Sequence, residues 1–240
     1  MIRLLGDLWI LSNEKLTHPW DATSYFVAGK EPALIDCGSS LGYLALKRDL
    51  AEAGYRPRDI RTVIATHGHW DHLSGMALLR EESDARLYIH AADRAQIEAG
   101  DADLTAAFLY DQPFQGVAVD GTLEDGEDLV VNDMRFTVHH TPGHSPGSVC
   151  LWTAHRELKL LVAGDTLWGG YHPKIRSDLD DWHNSLDHLL ALEFDAVTIG
   201  HCHPTLIYDA KRKVREAKMQ LGVFFNPWFK PFALNDTFRY

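Results

Sequence analysis

Cysteine is scarce. The 240 residues hold three, Cys37, Cys150 and Cys202, scattered without any close pair. Such a set does not build a disulfide framework, so a reducing compartment, the cytoplasm, is the expected location. Long apolar runs are missing as well. No stretch of about 18 apolar residues occurs, and no membrane span or membrane partner is expected. The N-terminus Met1-Ile2-Arg3-Leu4-Leu5-Gly6 reaches Asp7 almost at once, which reads as a first strand and not a signal peptide. Positive charge is in short supply: 23 Lys and Arg face 34 Asp and Glu, for a formal net charge of −11. Nucleic-acid binders carry a basic face. The one basic cluster here, Lys211-Arg212-Lys213 with Arg215 and Lys218, has the spacing of a solvated helix face, so no nucleic-acid partner is expected. Linkers, low-complexity segments and short repeats are also lacking. One domain over residues 1–240 is expected, ending in an aromatic tail at about 222–240. A homodimer is compatible with that tail.

Histidine is what the chain has in excess, with 14 copies. Neutral imidazole carries a lone pair near pH 7 and is the commonest metal ligand. Composition does not show whether these residues converge, but their places along the chain are informative. Strands are expected at residues 7–12, 23–29, 33–36, 62–66, 86–89, 134–140, 147–153, 158–163 and 196–199. Helices are expected at about 41–53 (capped by Ser40 and stopped by Gly54), 71–80, 91–99, 103–110, 181–192 and 209–221. Strands and helices alternate in both halves, which marks an α/β protein with buried sheets. Four strands end in a turn bearing Asp36, His67, Asp165 or His201. In α/β folds, ligands gather at the carboxyl ends of strands.

The strongest single motif is His67-Gly68-His69-Trp70-Asp71-His72. Two histidines at i and i+2 can point at one ion, and Asp71 and His72 can face a second. That suits the preference of zinc for nitrogen and oxygen ligands. A lone histidine pair is more often a polar loop; four ligand-type side chains in six residues after a buried strand reverse the odds. His144 lies in Thr-Pro-Gly-His-Ser-Pro-Gly, a sharp turn that fixes its ring. Asp165 lies in Ala-Gly-Asp-Thr, and His201 follows Val-Thr-Ile-Gly. Each of these three, taken alone, is more often a structural residue. His203 competes with His201 as a ligand. His139 and His140 read as strand residues, one inward and one outward. Cys37 and Cys202 read as small buried residues.

Taken in order, Thr66-His67-Gly68-His69-Trp70-Asp71-His72, Thr141-Pro142-Gly143-His144, Gly164-Asp165-Thr166 and Gly200-His201 resemble the metallo-β-lactamase superfamily. Asp36 in Leu-Ile-Asp-Cys-Gly resembles its early strand-end aspartate. The resemblance spans roughly residues 7–205. It implies a four-layer αβ/βα sandwich with the metal site at one edge. It further implies that His67, His69 and His144 hold one metal, that Asp71, His72 and His201 hold another, and that Asp165 bridges them. Asp36 would stand behind the ligands and orient the metal-binding loop by hydrogen bonds. The implied cofactors are two zinc ions, with manganese or iron as substitutes.

The implied chemistry is hydrolysis. Two dications bring a water to a pKa near neutrality, the resulting hydroxide attacks a carbonyl, and Asp71 takes or shuttles the proton. The phrases around His144 and Asp165 look most like the glyoxalase II-like branch, which hydrolyses thioesters. The stretch after His203 is too short for that branch's helical glutathione-binding domain, so a thioester, lactone or related small acyl compound is the expected substrate. Three other readings stand beside it: a one-iron sulfur dioxygenase, a β-lactamase, and a non-catalytic metal-binding module. Trp70, Trp168, Tyr171 and His172 are the candidates for the substrate pocket.

Overall fold

Leu34 and Ile35 are neighbours in sequence yet pack into different cores, as do Val63 and Ile64, and Leu160 and Leu161. Successive side chains of a strand point to opposite faces, so a sheet covered on both sides sorts them this way. The computed structural model, which describes residues 1–202 and 204–221, builds two such sheets.

The first sheet takes its seven strands in chain order: β1 (Ile2–Leu5), β2 (Leu8–Ser12), β3 (Ser24–Val27), β4 (Ala33–Ile35), β5 (Thr62–Ile64), β6 (Arg86–His90) and β7 (Gly121–Leu123). The second takes five, also in chain order: β8 (Asp128–Val131), β9 (Met134–His140), β10 (Val149–His155), β11 (Leu158–Val162) and β12 (Ala196–Thr198). Hairpin-linked neighbours are antiparallel. The pairs from β4 to β7, and β11 with β12, are parallel.

One core lies between the sheets, where Ile35 and Ile64 meet Phe136, Val138, Leu151 and Val162. A second lies under the outer helices of the first sheet, α1 (Tyr43–Glu52), α3 (Met76–Glu82) and α4 (Ala91–Ala99), through Leu46, Leu50, Leu79 and Ile97. The third lies under α5 (Leu179–Ala191) and α6 (Ala210–Gln220), through Trp182, Leu186, Leu189 and Val214. The layers therefore run helix, sheet, sheet, helix, as the sequence resemblance implies. No helix among the described residues is long and apolar enough to cross a membrane.

Local expectations fail in four places. The helix expected from Asp71 to about Arg80 is two pieces, α2 (Trp70–Leu73) and α3. Gly75 N–H donates to Gly38 O (3.1 Å) and His72 O accepts from Cys37 N (2.9 Å), so backbone groups at the break tie to the loop after β4. Residues 103–110 form only a short 3₁₀ turn, Ala107–Leu109, because Ala106 sits in the left-handed region (φ 59°). Gly42, not Ser40, opens α1. Strands β7 and β8 flank acidic turns and escaped notice because they are short and lie at sheet ends, with Gly, Glu and Asp all around them. The aromatic tail at 222–240 and His203 lie outside the described residues.

Candidate metal centre

Parallel pairing explains why distant side chains meet. Strands β4 and β5 run the same way, so Asp36 and the His67 loop leave the first sheet at one edge. Strands β11 and β12 do the same for Asp165 and His201 in the second sheet. Gly200 N–H donates to Gly164 O (2.8 Å), holding those two turns side by side, and Val149 N–H donates to Thr66 O (2.8 Å), joining the edges of the two sheets. A β-carbon on Gly200 would collide with Asp165 Oδ1, so the residue before His201 has to be glycine.

The edge carries two groups of ligand atoms. His67, His69 and His144 form one, and Asp71, His72 and His201 form the other. The rings of the first trio lie 4.4 to 4.8 Å apart, centroid to centroid. His67 Nε2 and His69 Nδ1 approach to 3.0 Å. Asp165 stands between the groups, 3.4 Å from His144 Nε2, 3.3 Å from His72 Nε2 and 3.1 Å from His201 Nε2. It also groups with His67 and His72 as a third set able to hold an ion.

Hydrogen bonds behind the ligands set their rings. Asp36, buried and left-handed at φ 54°, accepts from Thr66 N (2.7 Å), Thr66 Oγ1 (2.7 Å) and His72 Nδ1 (2.8 Å). His144 Nδ1 donates to Gly170 O (2.9 Å). Both bonds leave Nε2 as the free lone pair. His69 Nε2, His72 Nε2, His144 Nε2 and Asp165 Oδ1 are buried with no hydrogen-bond partner. Orphaned buried polar atoms are costly, and several of them converging on one spot fit a divalent cation as the missing partner.

Charge divides the two groups. Burial, with repulsion from neighbouring imidazoles, pushes His67 and His69 well below the ordinary histidine range. Burial also lowers His144, against the pull of Asp165. In the other group burial is outweighed. Asp165, Asp71 and Asp36 hold His72 well above its ordinary value, and Asp165 with Asp71 brings His201 up to about 9. Asp71 and Asp165 are buried too, yet His72 and His201 keep both below the usual carboxylate range, as anions.

A cavity of about 210 Å³ opens over these ligands. His69, Asp71, His144, Asp165 and His201 form its polar floor; Pro19, Trp20, Leu109, Tyr110 and Ile175 supply an apolar wall. Trp168 and His172 line it. Trp168 sits with its ring 4.4 Å from that of His201. Trp70 and Tyr171 are not in the lining. Trp70 is fully buried, bonds Pro113 O through Nε1 (3.0 Å) and stacks behind Tyr110 (4.7 Å). Tyr171 packs against the core under α5 and α6. His139 and His140 are both half-buried at the end of β9; His139 meets His188 and His140 stacks on His90. Cys37 is buried, Cys202 only partly, and neither is in a disulfide among the described residues. Sequence reading missed Glu14, Trp20 and Tyr110, which reach the cavity from irregular loops with no periodic signal. Burial, with the Asp71 carboxylate beside it, pushes the Tyr110 hydroxyl well above its ordinary pKa.

Residues 18–201 match the family model for the metallo-beta-lactamase superfamily. The chain belongs to that superfamily. A relative from Aquifex aeolicus, an uncharacterized protein, is 35% identical over 45% of this chain and 49% of its own length. The acyl-coenzyme A thioesterase MBLAC2 of Gallus gallus is 32% identical over 62% of this chain and 58% of its own. The chain thus spans between about half and three fifths of these two relatives. The FEZ-1 metallo-beta-lactamase of Legionella gormanii superposes with a TM-score of 0.77 over 92% of this chain and 94% of that one, at 20% identity, a likeness of fold. The superfamily consists mostly of metal-dependent hydrolases, and the chain carries a histidine–aspartate cluster suited to divalent metal ions.

Proposed function

We propose that this protein is a dinuclear metal-dependent hydrolase of thioesters or related small acyl compounds whose acyl group is apolar. The observation that carries the reading is the position of Asp165. One carboxylate lies 3.1 to 3.4 Å from a histidine of the trio and two histidines of the second group, which suits a bridge between two ions. His67, His69 and His144 would hold one ion, and Asp71, His72 and His201 the other. When bound, such ions lower the pKa of water to about neutrality and polarise a carbonyl.

The chain's own residues do the remainder. Asp71 is anionic and opens onto the cavity, so it accepts a proton from water and returns it to the leaving group. Tyr110, beside that carboxylate in the lining, stays a neutral phenol. Trp20, Leu109 and Ile175 seat the acyl group and exclude water from that side. The thioesterase name of MBLAC2 supports the choice of acyl class.

The test is elemental analysis of the purified protein, scored per chain, with thioesters, lactones and β-lactams assayed on the same sample. About two zinc or manganese ions with thioester hydrolysis is the expected result. One iron per chain with no hydrolysis overturns it in favour of a sulfur dioxygenase. Hydrolysis of β-lactams alone moves the substrate class.

A further inference from the structure

Asp93 sits in the first turn of α4, where an acidic residue ordinarily serves its own helix. The bonds it makes go elsewhere. The side chain is fully buried. Oδ2 accepts from Gly68 N (2.9 Å) and from Ser145 Oγ (2.8 Å), and Oδ1 accepts from Gly147 N (2.8 Å). Gly68 lies between His67 and His69, and Ser145 follows His144. One carboxylate therefore ties together the two loops that carry the three-histidine trio. Gln96, one turn along α4, adds a long contact from Nε2 to Gly68 O (3.5 Å). The fit has no slack: a β-carbon on Gly68 would strike Gln96 Nε2, and one on Gly147 would strike the Asp93 carboxylate. Among the described residues Asp93 makes no hydrogen bond to Asp71, His72 or His201 themselves.

We propose that Asp93 is a positioning residue that locks the His67–His69 loop onto the His144 loop and so sets the metal affinity of the trio, leaving the second group unaffected. The inference rests on the ligand assignment above and not on hydrolysis. The physical reason is preorganisation. The trio's ligands come from two separate loops, and an ion bound to slack loops must first order them; partners behind metal ligands are worth about 10- to 100-fold in affinity. Asp36 braces His72 of the second group directly, and Thr66 beside His67 as well.

The experiment compares D93N with the wild-type chain. The amide nitrogen of asparagine would face an N–H or O–H donor, so at least one of the three bonds is lost while volume is kept. Zinc affinity is read by competition with a chelating dye, and ring ¹H–¹⁵N spectra report which imidazoles take up the ion. The expected result is a loss of about 10- to 100-fold at His67, His69 and His144, with uptake at His72 and His201 unchanged. A folded D93N with wild-type affinity at the trio overturns the proposal, and so does equal weakening of both groups, which marks a general structural role. If D93N does not fold, S145A removes one of the bonds and leaves the carboxylate; selective weakening at the trio is expected, and none overturns the proposal. Zinc uptake as described, with no acyl hydrolysis, would sink the functional reading and leave Asp93's role standing.

Discussion

Both groups of the candidate metal centre rely on histidine, with Asp71 added in the second, and their histidines end in opposite protonation states. In the trio, three imidazoles crowd one another in a buried spot, and burial strips their charge against the pull of Asp165 and Asp71. In the second group, His72 and His201 lie among Asp36, Asp71 and Asp165, and the carboxylates outweigh burial. The trio is thus ready to take a cation at neutral pH, whereas the second group must first give up protons. A histidine's place among its neighbours, more than its own identity, decides how it binds.

The comparison hinges on Asp165, which lies within 3.4 Å of histidines in both halves. D165N is expected to have the largest effect: loss of the second ion and a fall in acyl hydrolysis of at least about 100-fold, beyond what losing a mere supporting partner does. Metal analysis with steady-state kinetics on one sample checks it. Two ions retained at full activity would end the bridging role.

Single-ligand variants break the halves apart. H201A is expected to keep one tight zinc per chain, held by the trio. H69A is expected to lose the tight equivalent, weakening it by about 100-fold or more. Equal losses from both variants would mean that the halves do not bind independently.

The protonation contrast predicts a pH dependence. His201 has a pKa of about 9 in the metal-free protein and, with His72, carries a proton at neutral pH. Zinc must displace those protons, so affinity at the second group should rise about tenfold per pH unit for each proton released, then flatten above about pH 9. The trio, already neutral, should show little change across the same range. Calorimetry in buffers of different ionisation enthalpy measures the proton count. Equal proton release by both equivalents would erase the contrast.

The smallest effect expected concerns the wall and not the floor. Trp20 is 42% exposed and its ring meets that of Tyr110 at 5.7 Å. W20A should raise KM for long-chain or aromatic acyl thioesters by about tenfold, as loss of a partly buried aromatic contact implies, with acetyl thioesters unchanged. A uniform change in kcat across the series would assign Trp20 to the fold instead.

The ligand types and their order were legible along the chain. The run from His67 to His72 sits directly after a β-branched strand, and short-range spacing suffices to read it. The α/β class was legible in the alternation of strands and helices, and the four-layer sandwich in the resemblance of the ordered motifs to the superfamily. Other features depended on packing. Trp70 lies inside the motif, yet its ring turns away from the cavity to stack behind Tyr110, which no spacing encodes. Glu14, Trp20 and Tyr110 come from loops whose course follows contacts far away in sequence. Asp93 reads as a first-turn helix acid until Gly68 and Gly147 are seen to reach it from both sides.

Local chemistry, in the form of residue types, strand periodicity and sharp glycine turns, is a property of neighbours in the chain and was determined by the sequence. The pairing of the two halves, their unlike protonation and the clamp that joins the trio's two loops arise from groups far apart in the chain meeting at one sheet edge. Parallel strand pairing and burial brought those groups together, and only the tertiary structure decided it.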